Sequence, residues 1–491
     1  MNAIQYLFEK SARLENDFVL GNRETISFTS LYEQSLKMAN YLSDKNGNQK
    51  NILLVSNNNR FFLVCYFGIM LSGNVCVPLN PSIELENFDF IAKQCEAVLC
   101  FAEKKITSKL NLESINVITE QEYLDLIEHQ AEFQIKNTFN PDLPAQIIFT
   151  SGSTGKQKGV VLSHKNIIAN TNSIIEYLKL SEKDIIEVVL PFYYCYGLSL
   201  LHTHLRVGGS LVLNNNFILL GTVINDINKY KCTGLAGVPS HFQILLRKSD
   251  SFKKMQFPTL RYVTQAGGKL HKCFISEFNQ SFPEIDFYVM YGQTEATARL
   301  SYLSPKLLKE KLGSIGKGIP NVQLKVVNEI GKQINAGEIG EIIAKGDNVM
   351  LGYYKDPEST KQTLKNGWLF TGDVGTIDTE GYIYLTARKK EIIKISGKRV
   401  SPKEIEEVFV SFPEVVDCTI EAIEDDITGE AIKATIVLKE NANNYITKDI
   451  LKSFCSQKLD RHKIPQFIEF SKGLKINSAG KKVKVVRENQ T

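Results

Sequence analysis

From the N-terminus to about residue 320, short apolar, β-branched runs alternate with windows in which apolar residues recur at helical spacing. Parallel α/β folds produce this alternation. Strands are expected at 51–55, 97–101, 146–150, 187–190, 234–238, 262–265 and 287–290, with helices between them. Ser163 before His164-Lys165-Asn166-Ile167 reads as a helix N-cap, and Pro239-Ser240 opens an apolar-periodic helix over 241–247. The longest apolar run, 61–71, falls short of the ~20 residues that cross a bilayer and reads as a buried helix. Past 320 the texture changes. Strands at 323–327, 340–344 and 381–385 are separated by Gly-containing turns, which suggests a small β-barrel-like subdomain. From Ser401 a helix (402–410), strands (415–422 and 432–438) and a second helix (448–458) form an α+β unit large enough for a separate lid domain.

The chemistry concentrates in residues 147–164, IIFTSGSTGKQKGVVLSH. Gly152, Gly155 and Gly159 let a backbone turn tightly and bring its N–H groups to an anion. Thr150, Ser151, Ser153 and Thr154 add hydroxyl donors, and Lys156 and Lys158 add positive charge. A loop that wraps phosphate is the reading. It is not a Walker A loop, because Gly155-Lys156 is followed by Gln157 rather than Ser or Thr. Nor does a flexible linker suit it, since a β-type run leads directly into it.

This stretch resembles the phosphate-loop signature of the adenylate-forming enzymes: acyl-CoA synthetases, aryl-CoA ligases, luciferases and peptide-synthetase adenylation domains. Further stretches similar to that family follow in order: YGQTEATAR at 291–299, GWLFTGD at 367–373, ARKKEIIKISGKRVSPKEIEE at 387–407 and Gly480-Lys481. The resemblance implies an α/β fold with a large N-terminal adenylation domain over 1–389, its barrel-like part at about 320–389, and a mobile C-terminal lid over 390–491. It also implies ATP, Mg²⁺ and a thiol acceptor, either CoA or the phosphopantetheine of a carrier protein. By resemblance, the loop from Thr150 to Lys158 holds the ATP phosphates. Glu295 and Thr154 serve Mg²⁺, Thr294 contacts the α-phosphate, and Tyr291 flanks adenine. Asp373 and Arg388 read the ribose. Lys481 is the catalytic lysine carried in by the lid, although Lys475-Ile476-Asn477 replaces the usual Pro-Lys-Thr before it. Lys390 is the hinge, and Gly397 and Arg399 line the thiol tunnel.

On the acyl side, the segment 190–198, LPFYYCYGL, resembles the family's substrate segment, with Tyr194 where a His often stands. Tyr194, Cys195 and Gly197, together with Ala266, Gly267 and Gly268, are the expected acyl pocket. The segment contains no acidic residue to pair a substrate ammonium, so an uncharged, fatty-type acyl group is expected. The motifs leave three other readings open: transfer to a carrier protein, a luciferase-like oxygenase, and a nucleotide-binding sensor.

Composition narrows the remaining classes. The chain has 491 residues, 43% hydrophobic and 23% charged, as in a soluble enzyme of several subdomains. A net charge of +4 is too slight to argue for nucleic acid or an anionic membrane as partner, and any basic patch must be local. Nine cysteines without a Cys-x-x-Cys pair read as reduced thiols of a cytoplasmic protein. The polar N-terminus has no signal-peptide core. His202 and His204 lack acidic or cysteine companions and read as a buried pair rather than metal ligands. A monomer or homodimer acting on a small carboxylic acid is the expected form.

Overall fold

The central strands are apolar on both faces, as strands must be when helices cover both sides. In the computed structural model, the described residues are 1–21, 24–110, 112, 115–134, 139–151, 157–395, 398–425, 429–440, 442 and 445–474. Among them, one sheet has seven strands, in the order Gly352–Tyr353, Gln157–Ser163, Pro144–Ser151, Val75–Leu79, Asn51–Val55, Leu99–Ala102 and Val117–Ile118. A second has nine, running from Lys317–Gly318 through Ser301–Leu303, Asp286–Tyr291, Tyr262–Gln265, Gly234–Gly237, Ile185–Val188, Ser210–Leu213 and Asp17–Leu20 to Ile26–Ser27. Its central pairs are parallel and in register, Tyr262 opposite Gly234 on one side and Asp286 on the other.

The helix Arg60–Leu71 carries no polar face, and every residue after Arg60 is buried. Its Tyr66 hydroxyl donates to Gln146 Oε1 of the seven-stranded sheet at 2.7 Å and lies 2.8 Å from His202 Nε2 on the helix Cys195–Val207. One phenol therefore ties together helices belonging to the two sheets. The predicted N-cap is present as a full capping box between Ser163 and Asn166.

Beyond residue 320, the strands Gln323–Val327, Ile339–Lys345, Trp368–Ile377, Leu364–Lys365 and Ile383–Arg388 form a five-stranded antiparallel sheet. It is an open half-barrel closed over Val326, Ile342, Ala344, Leu369 and Ile383. Gly381, expected inside a strand, instead occupies the preceding turn at φ +87°, a conformation that favours glycine. The C-terminal unit packs the helices Pro402–Val410 and Lys448–Ser456 with a three-stranded sheet. It meets the large domain through Arg247 Nη1, which donates to Val415 O at 2.9 Å, and through Lys269 and Glu407 at 3.3 Å. Among the described residues, no helix is long and apolar enough to cross a membrane.

Candidate active site

On either side of residues 152–156, the glycine-rich stretch runs as two antiparallel strands that reach further than the sequence suggests. Thr150 and Ser151 end one strand, Gln157–Ser163 forms the other, and Thr150 pairs with Lys158. Gly159 therefore sits in a ladder opposite Phe149, not in the turn. Its role is packing, because a Cβ there would stand 2.8 Å from Ile147 Cγ2. Lys158 is likewise removed from the loop. Its Nζ donates to Ser359 Oγ at 2.5 Å, lies 3.9 Å from Asp356 and sits 5.0 Å above the Tyr353 ring. The ammonium expected to meet phosphate is engaged by the 353–359 segment. Gly152, Ser153, Thr154, Gly155 and Lys156, and the side chain of Ser151, lie outside the described residues.

The YGQTE motif begins where the strand Asp286–Tyr291 ends, and a short 3₁₀ turn, Thr294–Ala296, carries Thr294 and Glu295. Gly292 permits this fold-back, since a Cβ would come within 2.0 Å of Ala298 O. Asn348 clamps the turn. Its side-chain amide donates to Arg299 O at 2.8 Å, and its backbone carbonyl accepts from Thr297 Oγ1 at 2.7 Å. Glu295 Oε1 accepts from the Tyr353 hydroxyl at 2.8 Å. Neither Asn348 nor Tyr353 was visible as a site residue in the sequence, because their link to the turn is made by long-range pairing: Gly352–Tyr353 joins the strand Gln157–Ser163, and Met350 N–H donates to Glu295 O at 2.9 Å.

Behind the turn, Tyr291 donates to Asp373 Oδ2 at 2.7 Å, and Arg388 Nε lies 3.1 Å from Asp373 Oδ1. Cross-strand register sets the second contact, with Asp373 directly opposite Arg388. Burial pushes the Asp373 carboxyl above its ordinary range, while Arg388 and the Tyr291 hydroxyl pull it back. Three residues separated by up to 97 positions thus form one polar cluster, with Asp373 3% exposed.

The segment expected to hold the acyl group arrives at the same place. Tyr194 is the N-cap residue of the helix Cys195–Val207, and Cys195 Sγ lies 3.5 Å from Thr294 Oγ1. Tyr196 donates to Thr264 O at 3.0 Å, two residues before Ala266 on the strand Tyr262–Gln265. Gly267 takes φ +84°, and Gly268 O accepts from Gln265 Nε2 at 2.8 Å, shaping the turn. Gly197 is required by contact: a Cβ would lie 2.1 Å from Pro191 O, a backbone atom that cannot rotate away. Gly197→Ala is expected to cost about 1–3 kcal/mol and to displace the acyl segment. Gly221→Ala, where nothing lies within 4 Å, should leave the melting temperature unchanged or slightly raised. Equal melting curves for the two variants would contradict the packing.

Lys390 lies in the 3₁₀ turn Lys389–Glu391, between the half-barrel and the two-stranded ribbon Ile393–Ile395 with Lys398–Val400. Arg399 belongs to that ribbon, but its side chain, Gly397 and Lys481 lie outside the described residues.

The sequence model of the AMP-binding enzyme family matches residues 7–354, and that of the AMP-binding enzyme C-terminal domain matches 404–481. A putative acyl-CoA synthetase, YngI, of Bacillus subtilis is 32% identical over 350 residues, 70% of this chain and 63% of that protein. An oxalate–CoA ligase of Arabidopsis thaliana is 28% identical, covering 86% of this chain and 84% of its own length. A long-chain-fatty-acid–CoA ligase of Escherichia coli O157:H7 is 27% identical, at 93% and 89% coverage. Among solved structures, o-succinylbenzoate CoA synthetase from Bacillus subtilis with its acyl-adenylate intermediate superimposes with a TM-score of 0.87 at 25% identity, covering 98% of this chain and 96% of that one. The same enzyme with ATP and a magnesium ion gives 0.86 at 26% identity, covering 99% and 98%.

Proposed function

This chain belongs to the AMP-binding enzymes, with both the large and the C-terminal domain of that family, and we propose that it activates a carboxylic acid with ATP and passes the acyl group to the thiol of CoA. The contact of Cys195 with Thr294 carries the reading. It joins the segment expected to hold the acid to the motif expected to hold the α-phosphate, next to the cluster of Tyr291, Asp373 and Arg388 suited to a nucleoside.

In the first half-reaction, a carboxylate oxygen attacks the α-phosphorus. The acyl–O–P bond forms, the bond to pyrophosphate breaks, and negative charge gathers on the phosphoryl oxygens. Thr294 would donate its hydroxyl to one of those oxygens. In the second, the thiol sulfur attacks the acyl carbon, the thiol proton leaves and AMP departs. Among the described residues, no three His, Cys, Asp or Glu side chains gather into a metal cage. Glu295 suits Mg²⁺ all the same, because that ion uses one or two carboxylates and completes its shell with phosphate and water oxygens. Bound there, Mg²⁺ would neutralise phosphate charge. Tyr353 would position the Glu295 carboxylate for it.

The test is purified protein with MgATP, CoA and a panel of carboxylic acids, read as AMP and acyl-CoA formed. AMP release dependent on the acid, reduced about 100-fold or more in Glu295→Gln, is expected. Absence of AMP with every acid would overturn the activity. AMP formed without acyl-CoA, and restored to completion by a phosphopantetheinylated carrier protein, would replace CoA as acceptor.

A further inference from the structure

Arg299 closes the YGQTEATAR run, four positions after Glu295, and is 2% exposed. For a buried guanidinium it is poorly satisfied. Among the described residues, its Nε has no hydrogen-bond partner. Its two terminal nitrogens reach Ala298 O and Ser199 Oγ only at 3.5 Å, the outer limit of a hydrogen bond. The Tyr177 hydroxyl supplies one further contact, and the guanidinium carbon lies 4.3 Å above the ring of Tyr196. Among the described residues no carboxylate pairs with it, unlike Arg247, Arg261 and Arg388, which meet Glu277, Asp184 and Asp373. Neither neighbouring phenol can serve as counter-ion. Burial pushes Tyr196 up to about 12 and raises Tyr177, so both stay neutral at physiological pH.

A buried cation without an anion costs several kcal/mol. Its place indicates where the anion comes from. Arg299 covers Tyr196, the residue after Cys195, and touches Ser199 one helical turn beyond Cys195, while Tyr196 reaches across to Thr264, two residues before Ala266. The guanidinium therefore lies against the segment expected to hold the acid, and its contact at Ser199 falls one helical turn, about 6 Å, beyond the Cys195 that meets Thr294.

Resting on the proposed ligase reading, we propose that Arg299 recognises a second carboxylate on the substrate: the acid is a short dicarboxylate, activated at one end and held by Arg299 at the other. The reacting carboxylate loses its charge on becoming the adenylate, and the distal one stays ionised throughout, so the pair with Arg299 persists through both half-reactions. This replaces the uncharged acyl group expected from the lack of acidic residues in 190–198. That lack excludes a substrate ammonium but says nothing about a cation supplied from residue 299. The aromatic neighbours keep water away from the guanidinium and strengthen the pair.

The experiment compares kcat/KM for straight-chain dicarboxylates and monocarboxylates of equal length, from roughly three to six carbons given that one-turn displacement. The native enzyme is expected to prefer one of the diacids by about 100-fold or more, since a site with an unpaired buried charge rejects the analogue lacking its partner. In Arg299→Met the diacid-to-monoacid ratio should fall about 100-fold, and Arg299→Lys should retain part of it. A native enzyme that uses monoacids as well as diacids would overturn the proposal, and so would a Met variant that loses both equally. If the Met variant does not fold, the native preference decides alone. Failure of the ligase reading is distinct: no acid of either kind would then release AMP.

Discussion

Lys481→Ala is expected to abolish acid-dependent exchange of pyrophosphate into ATP, by a factor of about 100 or more, while leaving thioester formation from preformed acyl-adenylate within a few-fold of normal. The asymmetry follows from the two reactions. Only the first builds negative charge on phosphorus, between two reactants that are both anions, and a compact ammonium on a flexible stem neutralises both. In the second, a thiol meets an acyl carbon already activated by its link to AMP, and no phosphoryl group is transferred. The match to the family's C-terminal domain ends at residue 481, and Lys472, Lys475, Lys482 and Lys484 lie close by in sequence. Lys482→Ala is therefore the control, expected to keep both half-reactions. Equal loss of the two steps in Lys481→Ala would remove the lysine from its role, and loss of the first step in Lys482→Ala instead would move the role by one residue.

Acidification from pH 7.5 to 5 is expected to lower the melting temperature by roughly 10 °C or more. Burial holds His164, His202 and His241 at about 3 and His204 at about 4, all below the ordinary 6.5. The unfolded chain takes up these protons below 6.5 and the folded chain does not. The stability they contribute is thus complete above that value and is lost progressively towards pH 3–4, at about 2 kcal/mol each by pH 5. One contact also requires the neutral ring. His164 Nδ1 accepts from the Ala3 backbone N–H at 3.1 Å, so a proton there would break the bond. Glu187 works in the opposite sense. Burial raises its carboxyl well above 4.5, so the folded state holds a proton that the unfolded chain has released, and acidification recovers part of the loss. Calorimetry across this range, with His164→Gln keeping an acceptor for Ala3 but no titration, provides the check. A flat native profile between pH 7 and 5 would be incompatible with four neutral buried imidazoles.

Much of the fold was legible because hydrophobic periodicity is a local property. The strand Tyr262–Gln265 and the helix Pro402–Val410 coincide with the sequence pattern, and Arg60–Leu71 is the buried helix that its uninterrupted apolar run implies. Misplacements cluster where local composition and long-range pairing disagree. Gly159 and Lys158 look like loop residues by composition, yet strand pairing with Thr150 and Phe149, and with Gly352–Tyr353 on the other side, draws them into the sheet. Once there, Lys158 meets Ser359 and Asp356, residues 201 and 198 positions away that no local window contains.

By itself, the sequence determined many of the strands and helices and the adenylate-forming motifs, all of which are written in contiguous residues. Tertiary structure alone decided which side chains meet: Tyr291 with Asp373, Glu295 with Tyr353, Cys195 with Thr294, and Arg299 beside Tyr196 with no carboxylate to meet it among the described residues. Local propensity acts over a few residues. A buried charge is judged by everything packed around it, and that surrounding exists only once the sheets have assembled.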